Sequence, residues 1–218
     1  ARGYCDPAKN YIESQGAEVV LDTAMERGST DATAQVLQVK AKGVDGVLAC
    51  LYQPEMVVLL KAAHKYKLNT PVIGALGADF GQVIQQVGNP AAVNGVFFQG
   101  HLYKDKIGSP ALEWGKQILL KYLTKDELPK TGDPTHFYYF GLFNGIGVVE
   151  GFRRAGRDLT PDTYIAAIET LRDFDNNISA GRVTITPEQH VGISDMYFNG
   201  LDNDGNEVIF KAWGQPLH

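Results

Sequence analysis

Three groups of residues in this sequence have types and spacings that could support chemistry. The first is the run Gly145-Ile-Gly147-Val-Val-Glu-Gly151, which invites comparison with the glycine-rich loop that binds the phosphates of dinucleotides. That loop needs a strand before it, a helix that begins at the glycines and an acidic residue about 20 residues later. Here the glycines lie inside a helical pattern that runs to Ala155, so close packing between helices is the better interpretation.

The second group is Asp202-Asn-Asp204-Gly205, because closely spaced acidic side chains can bind calcium. The EF-hand loop places its glycine later than this pattern does, so a hairpin turn is favoured. Histidines occur at positions 64, 101, 136, 190 and 218, without an HxxxH or HExxH pair. Since a GxSxG elbow and a P-loop are also missing, the sequence predicts a protein that is not an enzyme and uses no metal or cofactor.

The third group consists of residues at the ends of two short apolar runs. The segment from Val44 to Leu76 contains a strand-like run, a helix that begins at Gln53-Pro54, and a second strand-like run after Pro71. This order predicts a βαβ unit with parallel strands. Ligands of such sheets bind beyond the carboxyl ends of the strands. In this segment, those ends are Tyr52 with Gln53, and the residues from Ala75 to Asp79.

Composition limits the classes of partner. The 218 residues are 44% hydrophobic and 21% charged, with a net charge of −5, which is typical of a globular protein with one large or two small domains. This mildly acidic balance, without a cluster of Lys and Arg, argues against nucleic acid and anionic membranes as partners. The first residues lack a signal pattern, so we expect a secretory signal to be absent or already removed.

The only cysteines are Cys5 and Cys50, and neither belongs to a zinc-binding pattern. We interpret them as two unpaired and largely buried thiols. A disulfide bond between them stays open as the alternative, because both could lie near carboxyl ends of strands and the sequence does not give their separation.

The remaining pattern predicts helices and strands in an uneven order. Helices are predicted from Asp6-Pro7 to Gly16, from a cap at Ser29 or Thr30 to Gly43, from Asp79 to Val87, from Ser109-Pro110 through Tyr122, from His136 to Ala155, and after Thr160-Pro161. Strands are predicted at 17–21, 93–98 and 181–186, with a hairpin around Asp202-Asn-Asp204-Gly205. The helices after His101 are amphipathic and have no strand among them, so they need a sheet that this chain does not supply.

The order and spacing of these weak motifs resemble the type I periplasmic binding proteins. The motifs are the AEVV run, the STDATAQVLQVKAKGVDGVLACLYQPEMVVLLKAAHKYKLNTPVIGAL core, the GNPAAVNGVFF run, a long tyrosine-rich helix and a tail containing VGISDMYFNGLDNDG. The sequence is most similar to solute-binding proteins of branched-chain amino acid ABC importers. The resemblance implies a two-lobed α/β fold, in which helices sandwich parallel sheets in three αβα layers.

This resemblance also implies a domain organisation. Residues 1–100 and 190–218 would form the second, C-terminal lobe, and residues 101–189 the helical remainder of the first, N-terminal lobe. Most of the first lobe would then be missing from the sequence, which explains helices that have no sheet to cover. We therefore expect the sequence to be a fragment, and the missing first-lobe segment of the same protein to be a partner of it.

The resemblance assigns ligand-binding roles to particular residues. Tyr52 matches a position where an aromatic side chain lines the ligand cleft, and Phe137 matches another position that faces the cleft. Leu76 stands where relatives that bind amino acids have an acidic residue for the ligand's ammonium group, which leucine cannot replace. Asp79 could substitute for that acid or could cap a helix, and Gln53 could bind the ligand or only begin its helix. The candidate ligand-binding residues are Tyr52, Gln53, Ala75, Leu76, Gly77, Asp79 and Phe137.

The resemblance implies a solute-binding component of an ABC importer that is located in the periplasm, or outside the cell as a membrane-anchored lipoprotein. Its partners would be a small organic ligand and an ABC permease in the inner membrane. The ligand would be an amino acid or, given Leu76, an aromatic or aliphatic carboxylate. The alternative is a ligand-sensing domain of a regulator or receptor with the same fold. A dinucleotide-dependent oxidoreductase is disfavoured because its phosphate loop is missing.

Overall fold

The computed structural model of the chain describes residues 2–75, 79–100, 110–128, 136–179, 181–193, 195–202 and 204–213. The chain divides into two compact units. We call Ala1–Gln99 with Phe198–Lys211 the sheet unit, and Gly100–Tyr197 with Ala212–His218 the helical unit. Within the described residues, no helix is both long enough and apolar enough to cross a membrane.

Helices and strands alternate in the first half of the chain, whereas helices dominate the second half. The elements are α1 (Arg2–Ser14), α2 (Thr33–Lys42), β1 (Val47–Ala49), α3 (Gln53–Lys65), β2 (Val72–Gly74), α4 (Phe80–Val87), a 3-10 helix (Pro90–Val93), β3 (Val96–Gly100), α5 (Pro110–Tyr122), α6 (His136–Ala155), α7 (Pro161–Ile168), β4 (Met196–Leu201) and β5 (Glu207–Trp213). The strands form one sheet in the order β1-β2-β3-β4-β5.

The βαβ unit predicted for Val44 to Leu76 is confirmed over β1, α3 and β2. Strands β1 and β2 pair in parallel with Val47 opposite Val72, and β3 adds to β2 in parallel with Val96 opposite Val72. The predicted hairpin is also confirmed, since β4 and β5 are neighbours joined by a short turn at 202–206. Such a short connection requires antiparallel strands.

The core of the sheet unit lies between one face of the sheet and helices α2, α3 and α4. It includes the fully buried side chains of Ala32, Val36, Met56, Leu60, Val83, Val93 and Phe98. The Phe80 and Phe98 rings meet with their centroids 5.1 Å apart. Gly74 packs tightly beside them, because a Cβ atom at this position would lie 3.0 Å from the Phe98 ring. The other face of the sheet is more open, and Leu48 and Ile73 are each 38% exposed there.

The interpretation of the two cysteines as free thiols was wrong, and the alternative of a disulfide bond between them is confirmed. Cys5 in α1 and Cys50, which directly follows β1, form a disulfide bond with their Cα atoms 6.1 Å apart. A separation of 45 residues in the sequence gives no sign of this proximity. The bond exists because the folding of the sheet unit brings the start of α1 to the carboxyl end of β1.

Two of the predicted strands are not strands in the structure. Residues 17–21 are irregular and mostly exposed, and Val20 is 42% exposed. The β propensity of this run does not produce a strand, because no neighbouring strand pairs with it. Residues 181–186 form only isolated bridges, which join Phe174 to Val183 and Thr186 to Gln189.

Some helix starts also differ from the prediction. Helix α1 begins at Arg2 and contains Pro7 in its interior, rather than beginning at Asp6-Pro7. Helix α2 begins at Thr33, so neither Ser29 nor Thr30 is its cap. Instead, Asp31 accepts hydrogen bonds from the Thr33 N–H (3.1 Å) and hydroxyl (2.7 Å), and these bonds lower the pKa of Asp31.

Glu150 organises one end of the helical unit. Its buried carboxylate accepts hydrogen bonds from Arg153 (2.8 and 2.9 Å) and Arg154 (2.7 Å) on the following turn of α6. The Arg153 bonds and then the Arg154 bond lower the pKa of Glu150 from 4.5 to about 2. Arg154 also donates to the carbonyl and hydroxyl oxygens of Thr170, so this cluster attaches the end of α6 to the chain after α7.

Candidate functional site

The carboxyl ends of β1 and β2 bring two of the predicted ligand-binding segments together. Tyr52 follows β1 as the residue before α3, and its side chain is 54% exposed. Ala75 follows β2 and is buried, and its N–H donates to the Ala49 carbonyl (3.0 Å). This bond continues the parallel pairing, so the two segments leave the sheet side by side, as the βαβ prediction required.

A pair of glutamine side chains connects the two helices that begin at this edge. The Gln53 Nε2 atom donates to the Oε1 atom of Gln82 at 3.0 Å, which joins the first turn of α3 to the first turn of α4. Gln53 is the first residue of α3, and its side chain forms this bond rather than a helix cap. The amide pair therefore lies at the starts of α3 and α4, and Tyr52 directly precedes α3.

Asp79 is the cap of α4, one of the two roles that the sequence allowed for it. Its Oδ1 atom accepts a hydrogen bond from the Gln82 N–H at 2.8 Å. Because Gln82 also receives the bond from Gln53, Asp79 indirectly positions the glutamine pair. Glu207 at the start of β5 lies nearby, since its Oε2 atom would be 3.7 Å from a Cβ atom at Gly81.

Arg27 is a member of this site that the sequence analysis missed. Its guanidinium carbon lies 5.4 Å from the centroid of the Tyr52 ring, in the geometry of a cation–π contact. Both side chains are exposed. A loop that follows a strand-like run in an α/β chain tends to reach the carboxyl edge of the sheet, so the position of Arg27 after residues 17–21 was the available signal.

The loop that carries Arg27 is attached to α3 by a buried carboxylate. The Gly28 N–H donates to Oε1 of Glu55 at 2.7 Å, and Glu55 is only 4% exposed. The other carboxylate oxygen, Oε2, is buried and has no hydrogen-bond partner among the described residues. Gly28 has a φ of +82°, a conformation that favours glycine. Glu55 was also missed, because a glutamate in the first turn of a helix is an ordinary feature of sequences.

A ligand-binding role stays a prediction for every residue of the predicted site, and three of these residues lie apart from the edge described above. Leu76 and Gly77 lie outside the described residues. Phe137 lies in the first turn of α6, in the helical unit. Ligand-binding roles for these residues remain predictions.

The two motifs that the sequence analysis rejected have structural roles. Gly145, Gly147 and Gly151 all lie within α6, so they do not form a phosphate-binding loop, and a Cβ atom at Gly151 would collide with the Tyr164 ring. Asp202 accepts hydrogen bonds from the backbone N–H groups of Asp204 (2.9 Å) and Asn206 (2.8 Å), which closes the turn between β4 and β5. Bonds from Asn206 are the main cause of the lowered pKa of Asp202. Within the ranges described, no cluster of His, Cys, Asp and Glu could hold a metal ion.

Comparison of the sequence with models of protein families identifies one family. Residues 1–206 match the family model described as "Periplasmic binding protein". No curated protein sequence matches the chain.

Solved structures with the same fold include proteins of ABC transporters. A branched-chain amino acid ABC transporter from Thermus thermophilus with bound valine is similar, with a TM-score of 0.79, 20% identity, and coverage of 97% of this chain and 56% of that one. An ABC transporter substrate-binding protein from Aeropyrum pernix gives a TM-score of 0.80 at 15% identity, and the match covers 97% of this chain and 56% of that one. A fatty acid ABC transporter substrate-binding protein from Thermomonospora curvata gives a TM-score of 0.75 at 22% identity. The match covers 96% of this chain and 53% of that one. The chain thus spans little more than half the length of these proteins.

Proposed function

This chain belongs to the periplasmic binding protein family, and we propose that it is the solute-binding component of an ABC importer. The observation that carries the proposal is the exposed Tyr52 ring at the carboxyl edge of a parallel sheet, where Gln53 and Gln82 at the starts of α3 and α4 are hydrogen-bonded to each other. An aromatic surface with a few fixed polar groups is the usual composition of a small-molecule site. Capture of a ligand there requires no covalent chemistry.

The ligand that we propose is a small organic molecule with an apolar body. The solved relatives include one with bound valine and one that is described as a fatty acid transporter protein, so the fold accommodates both amino acids and acids without an amine. Leu76 favours the second class, because leucine cannot accept a hydrogen bond from an ammonium group. Aromatic and aliphatic carboxylates are therefore the leading candidates, ahead of amino acids.

We further propose that the two units correspond to parts of two lobes. Residues 1–100 and 190–218 are assigned to the second lobe and residues 101–189 to the first. The separation of the chain after Gln99 and before Phe198 supports this assignment, although residues 190–197 and 212–218 belong to the helical unit. Ligand binding would shift the equilibrium between an open and a closed arrangement of the lobes, and an ABC permease would receive the closed form.

An extracytoplasmic location is part of this proposal. Disulfide bonds persist in oxidising compartments and are rare in the cytosol of most organisms. The Cys5–Cys50 disulfide supports a periplasmic protein or an extracellular lipoprotein. The same location gives the protein access to an importer in the membrane.

The proposal is tested by ligand-dependent thermal stability. A ligand that binds only the folded protein at about 100 times its dissociation constant stabilises it by about 2.7 kcal/mol. We expect 4-methylpentanoate or 3-phenylpropanoate to raise the melting temperature more than leucine does. Stabilisation by leucine alone would reverse the preferred ligand class, and no stabilisation by any of the three would contradict the proposed function.

A matched pair of variants assigns the binding to the proposed edge. Tyr52→Ala should abolish the stabilisation, because the ring forms the apolar floor of the site. Tyr11→Ala is the control, since Tyr11 is similarly exposed (52% against 54%) but lies in α1. Equal losses of ligand response in the two variants would show that Tyr52 is not part of the site.

A further inference from the structure

We propose that Arg27 binds the carboxylate group of the ligand, with the Tyr52 ring beneath both groups. This inference rests on the proposed function, which it makes more specific by naming the group that recognises an acid. The guanidinium lies over the exposed Tyr52 ring at 5.4 Å and therefore stands at the edge where ligands of such sheets bind. Among the described residues, no carboxylate lies within ion-pair distance of Arg27.

A guanidinium in this position suits a carboxylate ligand in two ways. Its planar N–H groups match the two oxygens of a carboxylate and form charge-assisted hydrogen bonds with them. The aromatic ring below holds the guanidinium in place and offers an apolar surface to the rest of the ligand. The site thus binds an acid with an apolar body, and an ammonium group on the ligand contributes nothing to this contact.

The backbone around Arg27 is held in a defined conformation. The Ser29 N–H (3.1 Å) and hydroxyl (2.6 Å) both donate to the Glu26 carbonyl, which makes Arg27 and Gly28 the central residues of a tight turn. Gly28 takes the positive φ that such a turn permits. Within this turn, the Arg27 side chain contacts the Tyr52 ring and the Gly28 N–H donates to Glu55.

Glu55 is the positioning residue of this arrangement. It lies in the first turn of α3, close in sequence to Tyr52, and its Oε1 atom accepts the Gly28 N–H at 2.7 Å. A single hydrogen bond therefore connects the residue next to Arg27 with the helix that begins at Tyr52. The buried Oε2 atom has no hydrogen-bond partner in the described part of the chain, and an unsatisfied buried acceptor carries a desolvation penalty that is unfavourable for stability. A role in holding the Arg27 turn explains why a carboxylate occupies this position.

The test compares an acid with its uncharged amide. Titration calorimetry measures binding of 4-methylpentanoate and 4-methylpentanamide, and of 3-phenylpropanoate and 3-phenylpropanamide, to the wild type and to Arg27→Gln. We expect the variant to bind the acids at least about tenfold more weakly, because charge-assisted hydrogen bonds are lost. Binding of the amides should change by less than about twofold. Arg157→Gln, which removes an exposed arginine of the helical unit, is the matched control and should leave both affinities unchanged.

Variants of Glu55 test the positioning role separately. Glu55→Ala removes the acceptor of the Gly28 N–H, so we expect it to reduce the ratio of acid to amide affinity as Arg27→Gln does. Glu55→Gln keeps an acceptor oxygen, so it should retain most of the wild-type ratio of acid to amide affinity. A purely structural role would weaken binding of acid and amide equally, and this outcome would overturn the positioning role.

The outcomes separate this inference from the function on which it rests. If the wild type binds the acids and Arg27→Gln changes their affinity by less than about twofold, the role of Arg27 is overturned. The solute-binding function would still stand. A wild type that binds neither acids nor amides overturns the proposed function together with this inference. Selective loss of acid binding in Arg27→Gln supports both.

Discussion

The sheet unit and the helical unit contain similar amphipathic helices with different surroundings. In the sheet unit, α3 buries Met56, Leu59 and Leu60 against the sheet. In the helical unit, α6 exposes Val148 (42%), Val149 (64%) and Phe152 (47%), within the part of the chain that the structure describes. An apolar helical face therefore predicts a helix and a direction of packing, but it does not predict that the same chain supplies the packing partner.

The largest expected difference between the units concerns core truncation. Leu60→Ala in α3 removes a side chain that is fully buried and should destabilise the sheet unit by about 4 kcal/mol. Ile165→Ala in α7 removes a side chain that is 48% exposed and should change stability by less than about 1 kcal/mol. Hydrogen exchange resolved by peptide measures each unit separately. Equal losses of stability in the two variants would show that Ile165 is buried in solution. The two units would then not differ in how their helices are covered.

The second largest expected loss of stability comes from removing the disulfide bond, which lies entirely within the sheet unit. Cys5→Ser with Cys50→Ser should destabilise this unit by about 3 kcal/mol, because the unfolded chain gains conformational freedom. Hydrogen exchange in α6 and α7 should be unchanged. Reducing agent should have the same effect on the wild type and none on the variant. Increased exchange in the helical unit would mean that the two units do not unfold independently.

The pH dependence of the helical unit follows from Glu150. The pKa of this carboxyl is about 2 in the folded protein, against 4.5 for an unperturbed group, because Arg153 and Arg154 donate hydrogen bonds to it. The unfolded state therefore binds the proton first as the pH falls. The stabilising contribution is complete above pH 4.5 and is lost progressively between about 4.5 and 2.

Glu150→Gln isolates this contribution. The variant should be less stable than the wild type at neutral pH, and the difference should shrink as the pH falls through this window. Hydrogen exchange of α6 and α7 as a function of pH measures this difference in stability. A difference that is independent of pH would show that the arginines stabilise the fold without the charge of Glu150.

The smallest effect concerns the cap of α7. The Thr160 hydroxyl accepts the Thr163 N–H (3.2 Å), and the Thr163 hydroxyl is bound in return by the Thr160 N–H (2.8 Å). Thr160→Ala should cost about 1 kcal/mol, detected as faster exchange in the first turn of α7. Thr30→Ala is the control, because Thr30 caps no helix. Equal changes in α7 for both variants would contradict a capping role.

The sequence predicted the parts of the fold that local patterns determine. The β1–α3–β2 unit followed from two apolar runs and Pro54, and α7 followed from Thr160-Pro161. These features depend on hydrogen bonds and burial within about 30 residues of chain.

Features that depend on distant residues were not predicted. Residues 17–21 have the composition of a strand, but they do not form one because none of the described strands pairs with them. The Cys5–Cys50 bond and the contact of Arg27 with Tyr52 both depend on where α1 and the following loop pack. At the candidate site, the positions of Tyr52 and Asp79 after β1 and β2 followed from the sequence, while their ligand-binding roles stay predictions. Arg27 and Glu55 required knowledge of the folded loop.

The disulfide bond also determines how the molecule would respond to a protease. The irregular and mostly exposed residues 17–22 are an accessible cleavage site, and they lie within the loop that Cys5 and Cys50 close. A single cut there leaves the amino-terminal piece covalently attached to the rest of the chain. The nicked protein would migrate as one band on a non-reducing gel and as two fragments after reduction, so its integrity has to be judged under reducing conditions.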